Sequence, residues 1–190
     1  MFSDIAQHWA SQCIVALAKR EIIRGYPNGT FRPKAVVSRA EFATLMQQVF
    51  PQIPVKRAPL TFPDVLPEYW ASAAIRWASE RGLFSGDESG RFLPKQTISR
   101  VQTIVVLMAG ISAEQASEAV SEPEAIQAQQ SLTQTVEQTF SDSKDIPSYA
   151  WEAIGGALSA ALIESLPEPR ELAPNQTMTR GEVAALLSLV

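Results

Sequence analysis

The feature that most constrains the fold is a sequence unit that occurs three times along the chain. Each copy opens with Phe-x-Asp, at Phe2-Ser-Asp4, Phe62-Pro-Asp64 and Phe140-Ser-Asp142. The first two copies align without a gap from Trp9 to Arg39 and from Trp70 to Arg100. Self-similarity of this kind is typical of proteins that assemble several copies of one supersecondary motif.

The third copy has diverged from the other two. When Ile154 is aligned with Ile14, Tyr149 falls at the position of Trp9. This alignment is preferred to one that starts from Trp151, because it keeps the apolar register of the helix that follows. The loop glycines of the first two copies have no counterpart in the third copy, whose loop reads Ser165-Leu-Pro-Glu-Pro-Arg-Glu-Leu172.

Each copy reads as helix, loop and helix, which predicts an all-α fold. In the first copy Ala10, Ile14 and Leu17 recur at helical spacing, and the loop contains the breaker residues Gly25 and Gly29. The second helix carries an apolar stripe in every copy, expected one residue later in the second copy. The stripes are Phe42, Leu45, Met46 and Val49; Ile104, Leu107, Met108 and Ile111; and Val183, Leu186, Leu187 and Val190.

A helix pair of about fifty residues buries one face but does not enclose a core alone, so we expect the three copies to pack into one body. Their unequal spacing favours a closed threefold cluster over a regular solenoid. The expected modules are 1–50, 62–111 and a divergent 140–190, with an extended Pro-rich connector at 51–61. A second connector at 112–139 is acidic and rich in Ala, Gln and Glu, and is predicted to be helical or a flexible tether, with helix favoured.

Composition excludes several classes of protein. Of the 190 residues, 46% are hydrophobic and 19% are charged, a balance typical of chains that fold around a core. A formal net charge of −4 provides no global basic field, so no nucleic-acid partner is expected. No stretch approaches the roughly 18 consecutive apolar residues that span a bilayer, so direct membrane insertion is not expected either.

Few residues suit catalysis or metal binding. Cys13 and His8 are single residues of their kinds, which excludes an intrachain disulfide and a Cys/His zinc site. Their spacing places them about 140° apart around a helix, too far for a catalytic dyad. Phosphate-binding and dinucleotide-binding motifs are missing from the sequence. We therefore predict that the chain is not an enzyme and needs no cofactor and no metal.

The second helix of each copy begins with a capping box, in which a hydroxyl accepts from an amide one turn on and a Glu or Gln side chain reaches back. The boxes are formed by Ser38 and Glu41, Ser99 and Gln102, and Thr179 and Glu182. An arginine follows the hydroxyl each time, at Arg39, Arg100 and Arg180. A cation in the first turn opposes the helix dipole by ~0.3–1 kcal/mol, so its recurrence indicates a use elsewhere.

Two uses fit this arginine. A helix N-terminus offers free amides and a positive dipole, and a guanidinium beside it can grip a carboxylate or phosphate. An internal salt bridge, for example to the Asp of Phe-x-Asp, fits the spacing equally well. Trp9, Trp70 and Tyr149 offer flat faces for a sugar ring, which slightly favours anion capture from a glycan, although packing in the core is the commoner role of a Trp.

The succession of Phe-x-Asp, a Trp before an apolar helix, Gly25-Tyr-Pro-Asn-Gly-Thr-Phe31 and Ser38-Arg-Ala-Glu41 resembles the S-layer homology (SLH) module, here in triplicate. The resemblance covers about 150 of the 190 residues, and the first copy is similar to cyanobacterial members. It implies a pseudo-threefold, three-pronged spindle of helix-loop-helix modules around a central three-helix bundle. It also implies that grooves between neighbouring copies bind an anionic, wall-linked polysaccharide that typically bears ketal pyruvate.

Carried over by position, the resemblance implies carbohydrate-binding residues of three kinds. The arginines of the capping boxes are expected carboxylate ligands, and the aromatic residues at positions 9, 70 and 149 are expected groove walls. The loops contribute Gly25, Tyr26, Gly29, Gly86 and Gly90. Asp87 replaces Tyr26 in the second copy and is expected to oppose an anionic polymer. Because the first copy keeps its loop, Arg39→Ala is expected to weaken binding more than Arg180→Ala.

The predicted function is non-covalent anchoring of a larger protein or cargo to the cell wall. The expected location is the cell envelope outside the cytoplasm, at the cell surface or in the periplasm. The alternative is a helical scaffold for protein–protein interaction in the envelope, in which the arginines form salt bridges and the aromatic residues pack in the core.

Overall fold

The computed structural model of the chain describes residues 2–115, 132–167 and 171–190. Within these ranges it contains seven α-helices and no β-strand, so the prediction of an all-α fold is confirmed. The helices are α1 (Ser11–Lys19), α2 (Arg39–Val49), α3 (Ser72–Glu80), α4 (Arg100–Gln115), α5 (132–139), α6 (Trp151–Ser159) and α7 (Arg180–Leu187). None of the helices in these ranges is long and apolar enough to cross a lipid bilayer.

The chain forms two compact units. The first consists of Met1–Ile98 together with Thr177–Val190, and the second consists of Ser99–Gln176. In the first unit α2 packs against α3 and α1 packs against α7, whereas in the second unit α4 packs against α6. Each pair joins the second helix of one sequence copy to the first helix of another. The spindle around a central three-helix bundle stays a prediction.

The first helix of each copy is nine residues long. It starts at Ser11 in the first copy, at Ser72 in the second and at Trp151 in the third. Trp151 therefore occupies a helix start, and Tyr149 lies two residues before it, as Trp9 lies before Ser11. The alignment that equates Tyr149 with Trp9 is confirmed.

The second helix keeps one burial register, and the expected one-residue shift in the second copy is wrong. In α2 the buried residues include Phe42, Ala43 and Met46. The aligned positions of α4 are Thr103, Ile104 and Leu107, and they are buried in the same way. Thr103 is polar, but its hydroxyl donates to the carbonyl of Ser99 at 2.9 Å and is therefore satisfied inside the unit.

The residues that precede the three capping boxes meet in the core of the first unit. The amide of Val37 donates to the carbonyl of Met178 at 2.9 Å, the amide of Met178 to Ile98 at 3.0 Å, and the amide of Ile98 to Val37 at 2.9 Å. All three side chains are at most 2% exposed. One segment from each copy thus contributes to a closed ring of backbone hydrogen bonds.

The connector at 51–61 contains no helix and lies against the end of α3. The amides of Lys56 and Arg57 donate to the carbonyl of Glu80 at 2.9 and 3.0 Å. The Arg57 side chain donates to the carbonyls of Ser79 and Phe84 at 2.8 and 2.9 Å. The bonds to Glu80 satisfy a carbonyl that the end of α3 leaves without an intrahelical partner. In the acidic connector, 112–115 and 132–139 are helical, and 116–131 lie outside the described residues.

Candidate functional site

All three predicted capping boxes are present. In the first, the amide of Glu41 donates to the Ser38 hydroxyl at 3.2 Å and the amide of Ser38 donates to the Glu41 carboxylate at 2.8 Å. The same exchange joins Thr179 with Glu182, and Ser99 with Gln102. The hydroxyl and the acid or amide of each box therefore have a complete structural explanation as helix caps.

The amides at the helix starts are not free, which corrects the expectation that they capture an anion. The amides of Arg180 and Gly181 donate to the carbonyls of Ala35 and Pro33, both at 2.8 Å. The amides of Arg39 and Ala40 donate in the same way to Gln96 and Pro94 at 2.9 and 3.1 Å. The amides of Arg100 and Val101 donate likewise to the carbonyls of Gln176 and Pro174. An anion near these helices would therefore meet side chains rather than helix amides.

The arginine side chains bond main-chain carbonyls of another copy's loop. Arg180 donates from Nε to Phe31 and from Nη2 to Arg24, both at 2.9 Å. Arg39 donates from Nε to Phe92 at 2.8 Å and from Nη2 to Ser85 at 3.1 Å. Arg100 donates from Nη1 to the aligned carbonyl of Leu172 at 2.9 Å. These contacts are a third use of the arginine, because neither an anion nor an acidic side chain is the partner in them.

This pairing bears on the expected ranking of Arg39 above Arg180, which was based on the complete loop of the first copy. Arg180, from the third copy, holds the complete loop of the first copy. Arg39, from the first copy, holds the loop of the second copy. Arg180, rather than Arg39, therefore contacts the complete loop, and the order of the two arginines in binding stays a prediction.

The aspartates of Phe-x-Asp hold the same loops from the other side. The Asp4 carboxylate accepts from the amides of Phe31 and Arg32 at 2.8 and 2.7 Å. Asp64 and Asp142 accept from the aligned pairs of amides at 92 and 93 and at 172 and 173. Burial would raise the pKa of Asp4, but these amide hydrogen bonds, with help from the charge of Arg180, lower it.

The loop glycines are required by the loop itself. A Cβ at Gly25 would lie 2.3 Å from a ring carbon of Phe2 and 2.7 Å from the carbonyl oxygen of Thr30. Gly29 has φ of +77°, a left-handed conformation that glycine adopts without strain. In the second copy Gly86 corresponds to Gly25, where a side chain would meet the loop itself. Gly90 corresponds to Gly29 and has φ of +72°. A sugar-binding role for these glycines stays a prediction beside this structural one.

A cavity of about 290 Å³ lies beside Arg180 in the first unit. Trp70 stands at this cavity, and its side chain is 62% exposed. The remaining lining is mostly apolar and comes from α2, α7 and the first loop: Ile23, Arg24, Phe31, Val37, Glu41, Thr44, Leu45, Gln48, Val183 and Ala184. The structure thus brings together a predicted arginine and a predicted aromatic residue from different copies.

The three aligned aromatic residues share an unusual exposure. Trp9 is 50% exposed, Trp70 62% and Tyr149 63%, so none of them packs in the core. By contrast, Trp77 is 8% exposed, which shows the more usual position of this residue type. Arg39 and Arg180 are partly exposed, whereas Arg100 is 4% exposed and offers little surface to a ligand.

Tyr26 connects the first loop to Arg180. The guanidinium carbon of Arg32 lies 3.9 Å from the Tyr26 ring centre, and that of Arg180 lies 5.3 Å from it. Arg180 also lies 4.4 Å from the ring centre of Phe31. Such cation–π contacts hold a guanidinium in place without neutralising its charge. Tyr26 therefore positions Arg180 beside the cavity.

Two acidic residues of the second copy lie near Arg39, which itself belongs to the first copy. Burial lowers the pKa of Arg39, while the nearby Asp64 and Asp87 oppose that effect. Asp87 accepts from the amides of Ser89 and Arg91, both at 2.9 Å, and pairs with the Arg91 guanidinium at 3.2 Å. The Arg91 amide bond is the main cause of the lowered pKa of Asp87. This acid is held within its own loop and reduces the positive field near Arg39.

One lining residue, Arg24, was missed by the analysis of the sequence. It precedes Gly25 and belongs to no recurrent motif, because the aligned residue of the second copy is Ser85. Only its place in the cavity beside Arg180 indicates a role. Among residues 2–115, 132–167 and 171–190 no cluster of His, Cys, Asp and Glu is suited to hold a metal ion.

Comparison with known proteins gives a consistent result. The chain is 28% identical to an amylopullulanase of Thermoanaerobacterium thermosulfurigenes, over 98% of the chain but 9% of that protein. It is 38% identical to a cellulosome-anchoring protein of Acetivibrio thermocellus, over 46% of the chain and 20% of that protein. A surface-layer 125 kDa protein of Lysinibacillus sphaericus is 28% identical over 53% of the chain and 8% of its own length. The chain therefore spans a small part of the relatives it matches.

The three repeats each match a known family. The S-layer homology domain matches residues 2–43, 61–104 and 139–184, which together make up more than half of the chain. The matches start close to the three Phe-x-Asp motifs and end within the second helix of each copy. The chain belongs to the S-layer homology domain family.

Proposed function

We propose that the chain anchors a larger protein non-covalently to the cell wall by binding an anionic wall polysaccharide. The observation that carries this proposal is the position of Arg180 and Trp70 at one solvent-accessible cavity. A guanidinium provides the charge and hydrogen bonds that a carboxylate needs, and an exposed indole provides a flat apolar face for a sugar ring. The apolar side chains of α2 and α7 suit the methyl group of a pyruvate ketal beside its carboxylate.

The relatives support the coarser part of this proposal. Their names include a cellulosome-anchoring protein and a surface-layer protein, which places S-layer homology domains in proteins of the cell surface. An enzyme such as the amylopullulanase matches the chain over only 9% of its length, so the shared part is small enough to be a separate binding module. We therefore assign the chain a binding role rather than a catalytic one, a position in the cell envelope, and attachment to a larger protein.

A protein–protein scaffold in the envelope is the competing function. The guanidinium–carbonyl bonds favour it, because they give all three arginines a purely structural role. The exposure of Trp70 and its two aligned counterparts counts against it, because the scaffold hypothesis packs these aromatic residues in the core.

The two functions differ in their response to Trp70→Ala. We expect this change to reduce co-sedimentation with purified, pyruvate-bearing wall sacculi roughly tenfold, corresponding to about 1.4 kcal/mol. Leu66→Ala is the matched control, because Leu66 is also an exposed apolar residue, at 58%, and does not line the cavity. Wild-type protein should sediment less with sacculi whose ketal pyruvate has been removed by mild acid.

Thermal unfolding of each variant shows whether the fold is retained. Equal sedimentation of wild-type protein with intact and acid-treated sacculi would contradict binding to an anionic polymer. Equal losses for Trp70→Ala and Leu66→Ala would remove the cavity from the proposal and favour the scaffold.

A further inference from the structure

The lining of the cavity beside Arg180 includes a second arginine, Arg24, that the family motif does not account for. Arg24 lines the same cavity and is exposed. Its carbonyl accepts from Arg180 Nη2 at 2.9 Å, so the main chain of one arginine is held by the side chain of the other. In the part of the chain that the structure describes, no hydrogen bond or ion pair engages the Arg24 side chain.

The two arginines differ in how much of the guanidinium is already used. Arg180 is held by two carbonyls and by the rings of Phe31 and Tyr26, so its position is fixed. The Arg24 side chain makes no hydrogen bond or ion pair with the described residues, so its guanidinium is available to a ligand. Two guanidinium groups in one lining, of which only one is already bonded to the protein, suit a ligand with more than one acidic group.

Glu41, the acidic residue in the lining of this cavity, serves as a helix cap. Glu41 accepts from the amide and the hydroxyl of Ser38 at 2.8 and 2.7 Å, which directs one carboxylate oxygen into the capping box. Arg24 and Arg180 therefore leave the charged lining with one net positive charge. Without Arg24 the formal charges of Glu41 and Arg180 would balance, so Arg24 adds the positive charge by which this lining departs from neutrality.

The second copy offers no such pair. The residue aligned with Arg24 is Ser85, whose carbonyl accepts from Arg39 Nη2 at 3.1 Å. Asp64 and Asp87 are the charged groups that act on Arg39. The surroundings of Arg39 and of Arg180 thus share their backbone contacts and differ in the charge of the side chains nearby.

We propose that Arg24 is a second anion-binding residue of the cavity and makes it selective for polysaccharide that carries acidic groups on two neighbouring sugars. This inference rests on the proposed function, because it assumes that an acidic glycan occupies the cavity. Arg180 takes the carboxylate of one sugar, and Arg24 takes the carboxylate of the next. The second copy, with Ser85 in place of Arg24, does not share this preference.

Two synthetic disaccharides test the proposal by isothermal titration calorimetry. One carries a pyruvate ketal on a single sugar, and the other carries a ketal on both sugars. Wild-type protein should bind the doubly charged disaccharide at least tenfold more tightly. Arg24→Ser should lower the affinity for it at least fivefold and lower the affinity for the singly charged one by a clearly smaller factor. Arg24→Lys, which keeps the charge, should retain most of the preference.

Arg76→Ser is the matched control, because Arg76 is an arginine with a 68% exposed side chain that does not line this cavity. If it lowers affinity as much as Arg24→Ser does, a general charge effect replaces the proposed contact. If wild-type protein binds the singly charged disaccharide but Arg24→Ser leaves the preference for two charges intact, this inference is wrong and the proposed function stands. If wild-type protein binds neither disaccharide, both are wrong.

Discussion

At the scale of single residues, the Asp and the Arg of the repeated motif act on one loop position from opposite sides. The amide of Phe31 donates to Asp4, and its carbonyl accepts from Arg180. The residue after it, Arg32, has φ of 59°, and the aligned Leu93 and Ala173 have φ of 57° and 47°. A left-handed conformation in a residue with a side chain is unfavourable, so the hydrogen bonds from these amides to Asp stabilise a strained turn.

This contact predicts a pH-dependent effect of Asp4→Asn. The pKa of Asp4 in the folded protein lies below its ordinary value of 3.8, so its stabilising contribution is complete above that pH. The contribution is lost as the pH falls through the lower, folded pKa. We expect Asp4→Asn to reduce the free energy of unfolding at pH 7 by about 1 kcal/mol, and by much less near pH 2.

Urea denaturation at the two pH values measures this difference. Asp145→Asn is the control, because Asp145 is an exposed acid outside the loop contact. An effect of Asp4→Asn that stays constant from pH 7 to pH 2 would contradict the role of the charged carboxylate.

At the scale of elements, the first helix of each copy ends in the same geometry with different residues. The position two residues after the helix has positive φ in every copy, at Glu21 (60°), Gly82 (72°) and Ala161 (55°). Such an end satisfies carbonyls of the last turn, and glycine is the residue that adopts it without strain. Among the three copies, the second has glycine at this position. Glu21 and Ala161 therefore adopt a strained left-handed conformation at the ends of α1 and α6.

We therefore expect Glu21→Gly to stabilise the protein. Relief of the left-handed strain of ~1–2 kcal/mol outweighs the greater freedom of glycine in the unfolded chain, and leaves a gain of roughly 0.5–1 kcal/mol. Gly82→Ala is the reciprocal change and should reduce stability by about 1 kcal/mol. Thermal and chemical unfolding measure both, and a stabilising Gly82→Ala would contradict this explanation of the helix end.

At the scale of the whole molecule, the first compact unit is made from both ends of the described chain. Residues 177–190 supply α7, which packs against α1, and Met178, which closes the ring with Val37 and Ile98. Burial of the α7 residues from 181 to 187 is nearly complete. The first unit therefore requires residues 177–190 as well as the residues up to Ile98, although 78 residues of the second unit lie between them in the sequence.

This organisation predicts a large effect of a distant truncation. A chain that ends at residue 176 should lose the cooperative unfolding of the first unit, because α1 loses its partner and the ring is open. Hydrogen exchange of the Val37 amide should become fast, since its acceptor is the carbonyl of Met178. A chain that ends at Leu187 is the control, because Leu189, among the three residues it lacks, is 53% exposed. Unchanged protection of Val37 in the shorter chain would contradict the prediction.

The sequence alone determined those features that depend on local chemistry. Helical spacing, glycine-containing loops and capping boxes act within about thirty residues, so the three helix-loop-helix copies and the cap at Ser38 were predicted correctly. The sequence indicated the exposure of the three aligned aromatic residues less directly, because the burial of a side chain depends on the residues that pack around it. The apolar pattern also misled in the second copy, where a buried threonine satisfied by a backbone carbonyl looked like a break in the stripe.

Only the tertiary structure decided which copies share a site. Arg180 and Tyr26 lie more than 150 residues apart in the sequence, and no spacing rule relates an arginine to the loop of another copy. The same long-range packing occupied the amides of the helix starts and placed Arg24 beside Arg180. A helix buries its apolar face against whichever partner the folded chain brings to it, so the repeats determine the local units and the packing between them determines the cavity.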